Sequence, residues 1–286
     1  MQITRDSETC HTYFKQWSEF VHEAKKEGSD PQRRASSRIE GSWYGTDSFG
    51  QAMYIAEHGW VEGAKLIKDR MAVMTADLPV KTTVKELAYS QAGPGMLNMG
   101  RYIMGHPQPY QVWRETEHMT PTSGKGVVKV VFNGTVSSNV SQDIIRDKGV
   151  LTCSILDTLE HLGYRTELTV VFSLAEARRK RNRLSVSNTL EVVVKNASDW
   201  MDMDKIAFAC AHPSSLRRIA FSVWEQQPAI LLKRYDIGYT FSSPARINVE
   251  KGVVYIPEIR SDSASSKEAQ QALIRASLES AGISFE

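Results

Sequence analysis

The densest chemical feature of the sequence is a run of cations, Arg178-Arg179-Lys180-Arg181-Asn182-Arg183. Packed this closely, guanidinium and ammonium groups attract phosphates by Coulomb force and by release of condensed counterions, so the run is a candidate nucleic-acid contact. It sits between two strand-like segments, and the bland alternative is a charged edge that keeps sheets from associating. A looser basic group, Arg33, Arg34 and Arg38, precedes Trp43 and Tyr44. Cations beside exposed rings suit single strands, whose bases stack at roughly 1 to 3 kcal/mol each. Buried aromatics are the commoner case, and Trp43 is expected in the core.

Other chemistry fails on spacing. The seven histidines are scattered, with no His-Glu-x-x-His and no Cys/His cluster, which argues against a zinc enzyme. His212 before Pro213 reads as a helix junction. Ser123-Gly124-Lys125-Gly126 resembles a phosphate loop only superficially: Met119 stands where the upstream Gly belongs, and Gly126 where Ser or Thr should follow the Lys. Gly93-Pro94-Gly95 lacks the strand-to-helix setting of a dinucleotide loop, and there is no Gly-x-Ser-x-Gly. These absences point to binding rather than catalysis, with no cofactor expected.

Composition sets the bounds. In 286 residues, 35 basic side chains nearly balance 33 acidic ones for a formal charge of +2, so electrostatic binding must come from local patches. A hydrophobic fraction of 41% allows a substantial core. Cys10, Cys153 and Cys210, odd in number and widely spaced, fit buried thiols in a reducing compartment. The N-terminus lacks a signal peptide's apolar centre and no run is long enough to cross a membrane, so a cytoplasmic location without membrane partners is expected.

The elements that must position these groups are clearest from Gly126 to Gly163. An apolar run (Val127 to Asn133), a Gly/Ser/Thr/Asn loop and a helix-period segment carrying Leu151, Ile155, Leu156, Leu159 and Leu162 predict a strand-loop-helix unit. Glu167 to Phe172 and Leu190 to Lys195 predict second and third strands, the first two joined by a parallel crossover and the last two forming an antiparallel pair at the sheet edge. Val253 to Ile256 adds a strand, and Ser266 to Ala281 a terminal helix. Residues 202 to 227 predict two helical pieces hinged at His212-Pro213, with Leu216, Ile219, Ala220 and Val223 buried.

The N-terminal part predicts an amphipathic helix over 8 to 27, from Tyr13, Phe14, Trp17, Phe20, Val21 and Ala24, then a basic linker to 42. A helical hairpin follows from Phe49 to Met71, turning at His58-Gly59-Trp60, and residues 79 to 123 predict irregular structure. The expected fold is α/β, with a mainly helical N-terminal region, a mostly parallel sheet covered by helices on both faces, and an antiparallel edge strand. The expected divisions are 1–42, 43–123 and 124–286.

A parallel crossover followed by an antiparallel hairpin, with a polar loop after the first strand, resembles the von Willebrand factor A-type fold. In that family the loop carries Asp-x-Ser-x-Ser and helps to hold a divalent cation; the matching residues here are Asn133-Gly134-Thr135-Val136-Ser137. Asn133, Thr135 and Ser137 are therefore the candidate metal positions, but an amide replaces the carboxylate that a hard cation prefers. Asp199 and Asp262 are the acids that the resemblance would have to recruit. Trp43-Tyr44-Gly45-Thr46, Glu57 to Gly63 and Ala211 to Arg218 also resemble a family of phage and plasmid proteins. In size and character the chain is similar to phage early proteins that bind single-stranded DNA and recruit a phage-type RNA polymerase. The resemblance implies single-stranded DNA and such a polymerase as partners; the alternative it leaves open is a protein-interaction module built on a degenerate metal-ion-dependent adhesion loop.

Overall fold

In the computed structural model the described residues are 1–5, 10–28, 35–38, 41–75, 82–92, 95–118, 126–161, 163–175, 187–235, 243–245, 247–250, 252–259 and 279. Strands β1 (Gln2–Arg5) and β2 (Cys10–Phe14) are followed by helices α1 (Trp17–Ala24), α2 (Gly41–Tyr44), α3 (Phe49–His58) and α4 (Val61–Thr75). Next come β3 (Thr82–Ser90), β4 (Met96–Leu97), α5 (Met99–Ile103) and β5 (Tyr110–His118). The remainder comprises β6 (Val127–Asn133), α6 (Gln142–His161), β7 (Arg165–Ala175), β8 (Ser187–Lys195) and α7 (Met203–Ala211). A π-helical turn (Ser215–Ala220) then leads into α8 (Phe221–Glu225), with α9 (Ala229–Arg234), β9 (Ser243–Pro244) and β10 (Val254–Ile256) completing the order.

The main sheet runs β1-β2-β8-β7-β6-β10, with β9 paired to β7. β6 is parallel to β7 and to β10, β8 is antiparallel to β7 and parallel to β2, and β1 is antiparallel to β2. The protein is therefore a mixed α/β structure. The crossover from β6 through α6 to β7 and the antiparallel β7–β8 pair are as the sequence predicts. The position of that pair is not: β8 is interior, flanked on its other side by β2, and the antiparallel edge strand is β1.

The cause lies at residues 8 to 27, where a single helix was expected and a strand precedes a shorter helix. Along β2 burial alternates, with Cys10, Thr12 and Phe14 inward, which is strand period; only from Trp17 do Phe20, Val21 and Ala24 follow a helical stripe. Phe14 and Phe20 meet edge to face at 5.3 Å across that change of direction. One apolar cluster collects Phe14 and Phe20, Ala52 and Ile67, and Phe132, Leu156, Phe172 and Trp224, so residues from all three expected divisions share a core.

The segment 79–123, expected to be irregular, contains a separate antiparallel sheet in the order β3-β5-β4, with β3 and β5 in continuous register from Thr82↔His118 to Ser90↔Tyr110. The stretch Gly105 to Pro109 connects α5 to β5. The terminal helix expected over 266 to 281 lies outside the described residues apart from Glu279. Among the described residues no helix is long and apolar enough to cross a membrane.

Helices α6 and α7 approach closely at one point. A Cβ on Gly149 would lie 2.2 Å from Ala211 Cβ and 2.8 Å from its backbone nitrogen, so only glycine fits there. This contact brings the His212 junction against α6 and the strand end that precedes it.

Candidate nucleic-acid interface

Strands β6 and β10 end at the same edge of the sheet, together with β7, whose Val171 is the parallel partner of Asn133. In open α/β sheets this carboxyl edge is where loops gather and ligands bind. The loop after β6, however, is internally committed. Asn133 is fully buried; its Nδ2 donates to Ala245 O (2.9 Å) and Tyr255 Oη (3.1 Å), and its Oδ1 accepts from Thr135 N (3.1 Å). Thr135 Oγ1 accepts from Ser173 N at 2.7 Å, and Ser137 N donates to Ile259 O at 2.9 Å. The amide of Asn133 is needed as a donor, a role that a carboxylate could not fill.

A cation does sit beside this loop, and the chain supplies it. Lys148 of α6, 4% exposed, donates from Nζ to Asn133 O at 2.5 Å and lies 4.3 Å from the centre of the Phe132 ring. An ammonium has three N–H donors, and here one meets an acceptor. Burial accordingly pushes the Lys148 pKa down to about 7, against the opposing pull of Glu258 and Cys210. Asn133 thus meets an amine, and the side-chain oxygens of Asn133 and Thr135 are engaged, a poor fit to a metal site. Of the acids considered for that role, Asp199 lies beyond Lys195 at the opposite end of β8, held by Asn196 N and Nδ2 at 2.9 Å each, and Asp262 is outside the described residues. Among the described residues no group of three or more His, Cys, Asp or Glu side chains could hold a metal ion.

The pair of buried arginines on the π-helical turn is not among the predicted binding residues. Arg217 and Arg218 are 1% and 0% exposed. Arg218 donates from Nε to Thr46 Oγ1 (2.8 Å), from Nη1 to Ser36 O (2.8 Å) and Arg38 O (3.2 Å), and from Nη2 to Thr46 O (2.9 Å), with its guanidinium 4.3 Å from the centre of the Tyr44 ring. Arg217 donates from Nη1 to Trp43 O (2.6 Å) and from Nη2 to Val140 O (2.8 Å), at 4.2 Å from the Trp43 ring. Burial lowers both pKa values, that of Arg217 to about 10. A π-turn shifts the helical register by one residue, which lets two consecutive side chains point inward where an α-helix would split them. The only signal was the motif itself: two arginines inside the apolar stripe of Leu216, Ile219 and Ala220.

Those bonds fasten residues 35–38 and 43–46 to the edge. Tyr44 is fully buried and Trp43 half-buried, with Trp43 Nε1 donating to Ser138 O at 2.8 Å, so both rings serve packing rather than a stacking platform for bases. Gly45, at φ +79°, lets the chain pass His212 and Pro213, whose atoms would lie 3.2 to 3.3 Å from an added Cβ. His212 is sandwiched between Phe208 (5.1 Å) and Trp60 (4.6 Å), and its Nδ1 accepts from Ser214 N at 3.1 Å. Burial, aided by the charge of Arg146, holds its pKa down to about 3, so the ring is neutral with its hydrogen on Nε2. Catalysis by proton transfer near neutral pH does not suit it.

Of the predicted cationic residues, Arg38 is exposed beside this strap, whereas Arg33, Arg34, Arg178, Arg179, Lys180, Arg181 and Arg183 lie outside the described residues. The chain on either side of them is placed. A Cβ on Gly28 would lie 3.2 Å from Glu225 O, and Ser36 donates to the Glu225 carboxylate from N (3.0 Å) and Oγ (2.5 Å). Asn188, opposite Leu174 in the β7–β8 ladder, donates from Nδ2 to Gln227 Oε1 at 2.5 Å and accepts from Gln227 Nε2 at 3.2 Å. The turn Glu225–Gln227 therefore holds ends of both basic segments at one edge of the sheet. Because β8 has neighbours on both sides, the run between β7 and β8 does not guard an edge strand.

The model of a family described as a domain of unknown function (DUF7192) matches residues 3–284, and the chain belongs to that family. No curated protein and no solved structure matches it.

Proposed function

We propose that the protein is a non-catalytic binder of single-stranded DNA, whose strand lies along the carboxyl edge and is held by Arg178, Arg179, Lys180, Arg181 and Arg183 together with Arg33, Arg34 and Arg38. The observation that carries this reading is the Glu225–Gln227 turn, which fastens Ser36 after the first basic segment and Asn188 after the second. Two cationic segments anchored at one turn act on the same strand, and their phosphate contacts add in the salt dependence. Fluorescence anisotropy with a labelled oligothymidine tests it. Changing Arg178, Arg179, Lys180 and Arg181 to Ala should lower affinity and reduce the slope of log K against log salt by about 2.8, at about 0.7 per lost contact. An unchanged slope refutes the assignment.

The finer fold reading, an A-type-like domain, is supported by the crossover from β6 to β7 followed by the antiparallel β8. The partner reading, a phage-type RNA polymerase, is supported by an apolar surface at the end of the small sheet, where Met96, Met99, Tyr102, Ile103 and Met104 are each more than half exposed. Co-sedimentation with purified polymerase should weaken when Ile103 and Met104 become Asp.

A further inference from the structure

Lys148 is a buried cation with most of its hydrogen-bonding capacity unused. The residue is 4% exposed, and of the three N–H donors of its ammonium one meets Asn133 O at 2.5 Å, with the centre of the Phe132 ring 4.3 Å away. Among the described residues no second acceptor and no carboxylate bonds to it. A charge taken out of water without an opposite partner is costly, and something that supplies the partner stabilises it. Beside this amine the packing leaves a cavity, partly open to solvent, with room for about one water-sized guest.

Lys148 lines this cavity, and so do Phe132 and Gly134 on either side of the carbonyl that it bonds. Much of the remaining wall is apolar, from Ile145, Phe172 and Leu216. His212 adds a second donor to the wall. Its Nδ1 accepts from Ser214 N at 3.1 Å, which leaves the hydrogen on Nε2, and that N–H has no partner among the described residues. Among the described residues no Asp or Glu lines the space. The other titratable groups around the amine do not cancel its charge. Cys210 lines the same cavity with its thiol pushed well above its ordinary value by burial, and Tyr255, reached through Asn133, is pushed up to about 12 by burial, so both are neutral near pH 7. Glu258 is the acid that acts on Lys148, and its carboxylate already accepts from Tyr255 Oη at 3.1 Å; on the side of His212 the nearby charge is the positive one of Arg146. An ammonium and an N–H donor around so small a space, with no acid in its wall, suit a compact anion better than a neutral guest.

We propose that this cavity binds one small monovalent anion of the size of chloride, held by the Lys148 ammonium and the Nε2–H of His212. The anion supplies the partner that the fold withholds from Lys148. Binding the anion and keeping the proton therefore favour each other, and the site weakens as the amine titrates. A tetrahedral oxyanion such as phosphate is too large for the space. The inference stands apart from the DNA reading, because neither a nucleic-acid strand nor the basic segments enter it.

The wild-type chain provides the first test. Its thermal midpoint is measured in sodium chloride against sodium gluconate, whose anion is too large to enter, at matched ionic strength and at about pH 6 and about pH 9.5. At the lower pH, chloride at about ten times its dissociation constant should raise the midpoint by about 3 °C, and the rise should saturate. At the higher pH the amine has lost its proton and the rise should nearly vanish. No rise at the lower pH overturns the site and leaves the cavity to a water molecule. An equal rise at both is a general salt effect and overturns the role of the ammonium. Chloride NMR gives a second readout: the wild-type protein should broaden the chloride resonance, bromide should compete that broadening away, and Lys148→Met should abolish it. Broadening that persists in Lys148→Met puts the ion elsewhere and sinks the proposal.

Discussion

Replacing Arg218 with Met should cost about 3 to 4 kcal/mol of folding stability. The guanidinium makes four hydrogen bonds, to Thr46 Oγ1, Thr46 O, Ser36 O and Arg38 O. Thr46 Oγ1 keeps Ser214 Oγ at 2.9 Å, and Arg38 is exposed, so water can replace the bond to its carbonyl. Two buried carbonyls are then left unmet, at about 1 to 3 kcal/mol each. Against this, Met fills much of the volume and removes the desolvation of a buried cation, which trims the total. Arg218→Lys should recover little, because a point charge with a flexible stem cannot meet acceptors on three sides of a planar fork. Urea unfolding with linear extrapolation measures the loss as a fall in midpoint at constant slope. Amide exchange at Tyr44 and Thr46 should speed up along with it, since the lost bonds tie those residues to the π-helical turn. A loss below about 1 kcal/mol, or a full rescue by Lys, would refute the view that Arg218 is the strap of this edge.

Three other outcomes follow from the same contacts. Gly149→Ala should destabilise by about 1 to 3 kcal/mol by overpacking α6 against α7, and Ala211→Gly in the same chain should restore little of the melting temperature, because the new Cβ would still lie 2.5 Å from Cα and 2.8 Å from N of residue 211. Lys148 should make stability rise with pH from about 7 to 10.5: its folded pKa is lowered to about 7, so in that window the unfolded chain binds the extra proton. Lys148→Met should flatten that limb in urea titrations at several pH values. His212, with its folded pKa near 3, should make stability fall as pH drops from 6.5 towards 3, since the unfolded ring takes up a proton that the folded one refuses; His212→Gln should remove that part of the slope.

What could be read in the sequence was governed by periodicity over uninterrupted runs. Most of Arg165 to Ala175 and the segment around Val192 are buried on both faces, while Val127 to Asn133 alternates at its start with Val127 and Lys129 exposed, and these apolar runs place three strands and a crossover correctly. The stretch Cys10 to Phe14 is too short to declare itself, and Tyr13 and Phe14 happen to continue the helical spacing of Trp17, Phe20 and Val21. A chance match of periods therefore turned a strand into helix and moved β8 from the interior to the edge. The candidate site was legible only as charge. Basic runs show in composition, but Arg217 and Arg218 are buried because a π-turn and distant carbonyls receive them, and neither leaves a mark on local pattern. The Asn133 loop was legible in position and misleading in chemistry, because its partners Ala245, Ser173 and Tyr255 come from other parts of the chain.

The electrostatic logic of the edge follows from which partners the buried cations have. Among the described residues, Lys148, Arg217 and Arg218 make no ion pair; all three are held by backbone carbonyls, a hydroxyl or aromatic rings. A carboxylate partner would have cancelled each charge locally, whereas carbonyl dipoles and ring faces solvate a cation and leave its net charge in place. Arg217 and Arg218 therefore keep their charge here although the whole chain is nearly neutral, while Lys148, with its pKa lowered to about 7, is only partly charged at neutral pH. The pKa of His212 is lowered first by burial and then by the charge of Arg146. A positive field in a region with low dielectric walls strengthens the attraction for an incoming anion and costs no rearrangement when it arrives. Under the proposed function this field is what attracts the phosphates of the strand.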